Sequence, residues 1–457
     1  METKMRKHIL LILAIVVSFS ASAQGFLSFY QLRDIVPQTA NFQPAFIPNN
    51  SFTLGLPTNV GVTVQGDVKL EELLYKAPGQ NDLSINFDVL NGVALERNNI
   101  NVQVDLNALH LGFKTKKGGF HIFSNVRANV DFVYNKDLIE FLANGNSNSI
   151  GATLDFTGST VRIDAFHEVG FGYARKFLNE KLVVGGRIKL VTGMYHASIE
   201  EDAGLRLTTD ANDYSWQVQV QNGTVNTAGF GFFGGDSDDE GSDMSSYMVS
   251  NGNRTVAFDI GAKYKPLHWL EVEAAVNDIG KINWTDEVRN YNTEDTDFTF
   301  TGIDLRNQDE TADAIQDSLT NKFTSNETQN EFSTTMARRM YLSTSVYLTP
   351  NDRFSLLYFK RDALSHMKAN YALAYNHKFD KFVVGVLGSM RGENDFNFGA
   401  NLGTNIGPVQ LYLAMDNVLV TNKPEQYSKA DFRFGLNLMF GYKKWFKKPD
   451  VVDLDEL

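Results

Sequence analysis

Residues 166–198 read FHEVGFGYARKFLNEKLVVGGRIKLVTGMYHAS. Two extended runs face each other across a short break, Lys176–Lys181. In the first, Val169, Phe171 and Tyr173 alternate with Glu168, Gly170, Gly172 and Ala174. In the second, Leu182, Val184, Ile188 and Leu190 alternate with Val183, Gly185, Arg187 and Lys189. A period of two marks a strand with two different faces. Here one face carries large apolar side chains and the other carries glycine and charge. Strands of soluble sandwiches run to about five or six residues, whereas these reach the roughly 9–11 that cross a bilayer at a tilt. The spacing predicts two staves of a transmembrane β-barrel with the apolar stripe toward lipid.

The same reading along the chain predicts an all-β protein, an antiparallel barrel of about fourteen strands. They fall at 52–66, 101–114, 119–134, 166–176, 181–199, 254–265, 269–278, 338–349, 353–361, 369–379, 381–391, 396–406, 408–416 and 430–442. Alternation is clear in Phe120, Ile122, Val126, Val130 and Phe132, and again in Phe432, Phe434, Leu436, Leu438 and Phe440. Between 101 and 114 the apolar phase slips near Ala108–Leu111, which a β-bulge would explain. Every second connection is short and built from turn formers such as Lys117-Gly118, Thr349-Pro350-Asn351-Asp352 and Gly407-Pro408. The intervening ones are mostly longer, notably 200–253 and 279–337. Short turns at one end and long loops at the other are the outer-membrane pattern, and an even strand number places both termini on the periplasmic, short-turn side. A soluble sandwich would also bury apolar stripes, but it gives no reason for long and short connections to alternate.

The chain opens with Lys4, Arg6 and Lys7, an apolar run Ile9–Val17, and Ala21-Ser22-Ala23 before Gln24. This reads as a signal peptide over 1–23, with an apolar run too short for a membrane helix. Cysteine is absent, which excludes lipidation, disulfides and thiolate chemistry. The 36 glycines, 34 phenylalanines and 17 tyrosines suit a barrel with aromatic girdles. The net charge of −12 moves to about −14 when the leader takes Lys4, Arg6, Lys7 and Glu2 with it, which argues against nucleic acid as a partner.

The alternation turns Arg127, Asp131, Arg187, Lys189, Asp259, Lys263, Glu271, Glu273 and Arg433 inward, so they are the expected lumen lining. Two readings stand: a salt-bridged interior that keeps the barrel open, or a solute path of mixed charge. Residues 24–51 include Phe26, Leu27, Phe29, Tyr30, Leu32 and Ile35, too apolar for a free periplasmic tail. They are expected to form a periplasmic or luminal hatch ahead of the barrel, 52–442, with 443–457 as a periplasmic tail. In the loop 200–253, Asp236, Asp238, Glu240 and Gly241 match the start of a calcium loop, but Tyr247 stands where the bidentate Glu belongs. A flexible acidic loop is the better reading, and 279–337 is acidic as well, with a short helix at most over Ile303–Thr320.

Chemistry-bearing motifs are few. His110, His121, His167, His196, His268, His366 and His377 form no H-E-x-x-H pair, and no G-x-S-x-G elbow or phosphate loop occurs. His167 and His196 fall where the opening hairpin could bring them together. No catalytic, cofactor or metal site is expected. The near-repeats Ala275-Val276-Asn277-Asp278 and Ala414-Met415-Asp416-Asn417 read as turn residues at the membrane edge.

Asn41-Phe42-Gln43-Pro44-Ala45-Phe46-Ile47-Pro48, Phe52-Thr53-Leu54-Gly55-Leu56-Pro57 and Asp278-Ile279-Gly280-Lys281-Ile282-Asn283-Trp284 resemble a Bacteroidota family of outer-membrane barrels of unknown function. That family is distantly similar to the fourteen-stranded fatty-acid transport barrels and to barrels of type IX secretion. The resemblance implies an outer-membrane location and an N-terminal plug, and it supplies no functional residues. The expected function is passive passage of a small amphipathic or hydrophobic solute. The alternative is a non-transporting barrel in a secretion or surface-protein complex. Expected partners are outer-membrane lipid and lipopolysaccharide, the solute, and on the alternative a secretion or surface protein.

Overall fold

The structure, a computed structural model, describes residues 26–76, 83–229, 247, 251–293, 295–300, 325–365, 368–391 and 395–441. The leader 1–23, the acidic run 234–243, His366, the segment 303–320 and the tail 443–457 lie outside the described residues.

Fourteen antiparallel strands close on themselves. Strand β1 is in two pieces, Phe52–Gly55 and Asn59–Gly66, because Pro57 between them has no N–H for the ladder. There follow β2 Arg97–Lys114, β3 Gly118–Asn135, β4 Thr160–Phe177, β5 Leu182–Ile199, β6 Arg254–Leu267 and β7 Leu270–Ile279. The second half comprises β8 Arg338–Tyr347, β9 Asp352–Asp362, β10 Asn370–Lys378, β11 Phe382–Arg391, β12 Asp395–Ile406, β13 Val409–Met415 and β14 Lys429–Phe440. Each pairs with its neighbours in chain order, and β1 joins both β2 and β14: Val62 stands opposite Val104 and opposite Phe432. Closure gives every wall strand two partners, which removes the edges that would otherwise pair with other chains.

The two faces are inverted relative to a water-soluble barrel. Val169, Phe171, Ile188, Leu190, Phe258 and Ile260 are exposed on the outside, while Glu168, Arg187, Lys189 and Asp259 are buried within. A continuous exposed apolar belt of this kind marks an interaction surface for protein or membrane.

Strand ends fall close to the predicted ones, except that β4 starts six residues before 166 and β2 four before 101. The early part of β4 hides because Arg162 and Asp164 break the apolar stripe, and because β5 carries a bulge at Met194: Tyr195 stands opposite Ala165 but Gly193 opposite Phe166. The expected slip in β2 is a bulge at Ala108, with Asn107 opposite Asn125 and Leu109 opposite Ser124.

The long connections carry their own structure. Thr153–Asp155, Gly204–Thr209, Trp216–Gln221 and Thr296–Phe300 form a four-stranded sheet. Its apolar cluster is Leu154, Phe156, Leu207, Val218 and Val220, with Leu138 and Phe141 of a helix, α1 (Lys136–Asn144), packed against it. A two-stranded antiparallel ribbon of Lys281–Trp284 and Phe332–Thr335 lies on the inner wall of β4, β5 and β6. Its Trp284 is fully buried, stacks on His196 at 5.1 Å and donates its indole N–H to Thr334 Oγ1 at 2.9 Å.

Candidate functional site in the barrel lumen

Residues 26–46 lie inside the barrel, and all but Asp34 are buried. The segment makes one helical turn at Leu27–Tyr30 and a 3-10 turn at Pro37–Asn41, where Pro37 supplies the preset φ of an opening residue. Elements this short do not hold themselves. The wall holds them.

Asp416 Oδ2 and Oδ1 accept from the N–H groups of Leu27 (3.0 Å) and Ser28 (2.6 Å), and Lys429 Nζ neutralises the same carboxylate at 2.7 Å. Arg33 pairs with Glu273 and donates to Ser345 Oγ at 2.8 Å, while Tyr30 donates its hydroxyl to Glu273 at 3.0 Å and stacks on Tyr341. Asp34 is gripped by Lys263 at 3.2 Å and by Arg353. Gln38 and Asn437 exchange two hydrogen bonds, and Asn277 Nδ2 donates to the Phe42 carbonyl at 2.9 Å. The guanidinium of Arg433 sits over Phe26, Phe29 and Phe42 at 4.1–5.1 Å. Clearance comes from glycine: a Cβ on Gly185 would collide with the Pro44 carbonyl, and one on Gly261 with Gln43.

A second charge cluster sits beside the segment, centred on Asp278. Its carboxylate takes Arg127 at 3.0 Å, Lys189 at 2.5 Å and Arg339 at 2.7 Å. Lys189 also reaches Asp259 at 2.9 Å and Glu168 at 3.3 Å, and Arg187 reaches Asp259 at 3.0 Å. The nine residues expected to line the lumen are therefore all buried and paired. Arg127, Arg187, Lys189 and Asp259 join this cluster. Lys263 and Glu273 hold the N-terminal segment, and Glu271 takes Lys265 at 2.9 Å. Asp131 pairs with Arg361 at 2.6 Å and Arg433 with Asp105 at 2.5 Å. Buried charges of this kind are tolerable only when paired.

Asp278 and Asp416 do more than turn the chain. Asp278 does take a left-handed backbone, φ 64°, but both carboxylates are buried acceptors inside the barrel. The near-repeat was the signal that marked them. Asp105, Arg339 and Arg361 were legible only through strand phase. His167 and His196 do not meet: His167 bonds Ser124 at 2.8 Å, and His196 bonds Asp164 at 2.8 Å and Ser198 at 2.9 Å. Asp34, Glu271 and Glu273 bring carboxylate oxygens within 4.8 Å of one another, but Arg33, Lys263, Lys265 and Arg353 already neutralise them.

Below the segment, at the short-turn end, a cavity of about 1380 Å³ opens. Its floor is the segment itself (Arg33, Asp34, Phe46, Ile47) and its sides include Lys263, Lys265, Trp269, Arg353 and Lys378.

The class is thus a closed fourteen-stranded barrel with an occupied lumen and an outward apolar belt. Residues 44–416 match the model of the Family of unknown function (DUF5723), and the chain belongs to that family. No curated protein matches it. Among solved structures, a Pseudomonas aeruginosa FadL homologue is similar over 93% of this chain and 100% of its own, with 10% identity and a TM-score of 0.40. The CymD monoaromatic hydrocarbon channel is similar over 92% and 98%, with 11% identity and a TM-score of 0.38. The Pseudomonas putida toluene transporter TodX is similar over 91% and 93%, with 9% identity and a TM-score of 0.38. Scores this low leave the fold resting on the chain's own strand pairing.

Proposed function

We propose that the protein is an integral barrel of the bacterial outer membrane that passes a small amphipathic or hydrophobic solute when its luminal segment shifts. The observation behind this reading is that residues 26–46 fill the lumen through hydrogen bonds, ion pairs and ring contacts to the wall, all of them reversible. A cavity already leads to that segment from the short-turn end. The outer apolar belt supports insertion among lipid and lipopolysaccharide, and the leader-like residues 1–23 support export with the short turns in the periplasm. The short motifs at 41–48, 52–57 and 278–284 support a Bacteroidota origin. On this reading 24–51 is a hatch, the paired lumen charges line the route it opens, and no enzymatic role is involved.

Single-channel recording in a planar bilayer tests it. The full chain is expected to be nearly silent, and deletion of 26–50 to give steady conductance. Silence in both forms would sink an aqueous route. A second reading, a barrel that docks a secretion or surface protein, is favoured by the four-stranded loop sheet with its own apolar cluster. Retention of a partner that depends on that sheet, with a silent bilayer, would select it.

A further inference from the structure

The cavity at the short-turn end carries a surplus of positive charge. Lys263 and Lys265 on β6, Arg353 on β9 and Lys378 on β10 occupy lumen-facing positions around it, with Arg33 in its floor. Three carboxylates stand against these five cations. Arg33 and Lys263 reach Glu273, Lys265 reaches Glu271, and Lys263 and Arg353 share Asp34. Lys378, half-buried, makes no hydrogen bond or ion pair through its ammonium among the described residues. At the rim His377 is held by Asp352 at 2.7 Å and Lys176 by Glu180 at 2.6 Å, so neither acid is available to Lys378. Lys181 adds a further exposed cation there.

A half-buried ammonium that no carboxylate contacts directly, facing a cavity whose acids are already shared, attracts negative charge. Phe46, Ile47 and Trp269 give the same cavity apolar walls, which lower the local dielectric and strengthen that attraction. The surplus of two charges favours an anion with more than one. We infer that this vestibule binds a small soluble anion carrying at least two negative charges, of the phosphate or polycarboxylate class, with Lys378 as its first contact and Lys265 and Arg353 beside it. The inference goes beyond the passage reading, because binding needs no movement of the segment. A silent bilayer leaves it standing, and a failed titration leaves passage standing.

The test is equilibrium dialysis of the full chain, folded in non-ionic detergent, against labelled pyrophosphate and, separately, labelled citrate. Saturable one-site binding is expected for at least one of them. Lys378→Gln should weaken it about tenfold or more, the loss of one charge-assisted hydrogen bond. Lys378→Arg should restore most of it, and Lys360→Gln, which alters a cation paired with Asp362 on another strand position, should leave it unchanged. A heat-modifiable gel shift confirms that each variant is folded. The inference fails if neither anion binds saturably, if Lys378→Gln binds as the parent does, or if Lys360→Gln loses as much. It also fails if phosphatidylglycerol in the micelle occupies the site while neither soluble anion does.

Discussion

The luminal segment and the loop sheet are held in place by opposite means. The loop sheet buries Leu154, Phe156, Leu207, Val218 and Val220 against one another and against α1, so it brings its own core. The luminal segment also buries aromatic side chains, but its fixed points are on the wall: Asp416 for its first turn, Glu273 for Arg33, Lys263 and Arg353 for Asp34. A region with its own core responds locally to damage. A region whose charged anchors belong to another element can be released as a unit, its internal contacts such as Phe29 on Phe42 moving with it, at the cost of leaving charges unpaired in the wall.

The largest expected effect breaks the charge cluster that flanks the segment. Asp278→Ala removes the shared acceptor of Arg127, Lys189 and Arg339, and the loss should be about 3–5 kcal/mol in urea unfolding from lipid vesicles. A midpoint unchanged from the parent would mean that the cluster is hydrated and contributes little. Next comes Phe156→Ala in the loop sheet, expected to cost about 3 kcal/mol locally. Its readout is protease nicking of the 145–159 connection, with barrel unfolding unmoved; a matching fall in barrel stability would show that the sheet is not self-supporting.

Asp416→Ala should be milder, about 2 kcal/mol, because it frees the Leu27 and Ser28 N–H groups and removes the Lys429–Asp416 ion pair. Since the chain has no cysteine, Ser28→Cys gives a clean reporter: maleimide labelling should be slow alone and at least about tenfold faster with Asp416→Ala. Equal rates would show that this contact does not hold the segment.

The smallest effect concerns Glu140 of α1. Hydrogen bonds from Asn148 (2.9 Å), Asn91 and Asn144 (3.0 Å) hold its carboxyl below the usual range. Its contribution is therefore present above the unfolded value near pH 4.3 and is lost as pH falls through the lowered folded value. Solvent screening keeps it small. Nicking near 145–149 should rise on acidification in the parent and show a flatter pH profile in Glu140→Gln.

Much of the wall could be read one residue at a time. Val169, Phe171 and Ile188 faced out and Arg187 and Lys189 faced in because neighbouring side chains on a strand must point to opposite faces. Even the slip at Ala108 was visible, as a change of phase within one strand. The beginning of β4 was not, because polar Arg162 and Asp164 interrupt the stripe, and its register depends on the bulge at Met194 in the neighbouring strand.

What the amino-acid sequence determined by itself was the alternation, a strand number of about fourteen, the closed barrel and the side of the strand on which charges such as Arg187 and Lys189 fall. These follow from local geometry, which each residue shares with its chain neighbours. Which charge meets which was decided only by the tertiary structure. Asp278 meets Arg127 from 151 positions away, Ser28 meets Asp416 from 388, and Lys378 faces a cavity whose carboxylates are already shared among other cations. Pairing of buried charge depends on distance in space, and closing the barrel is what sets that distance.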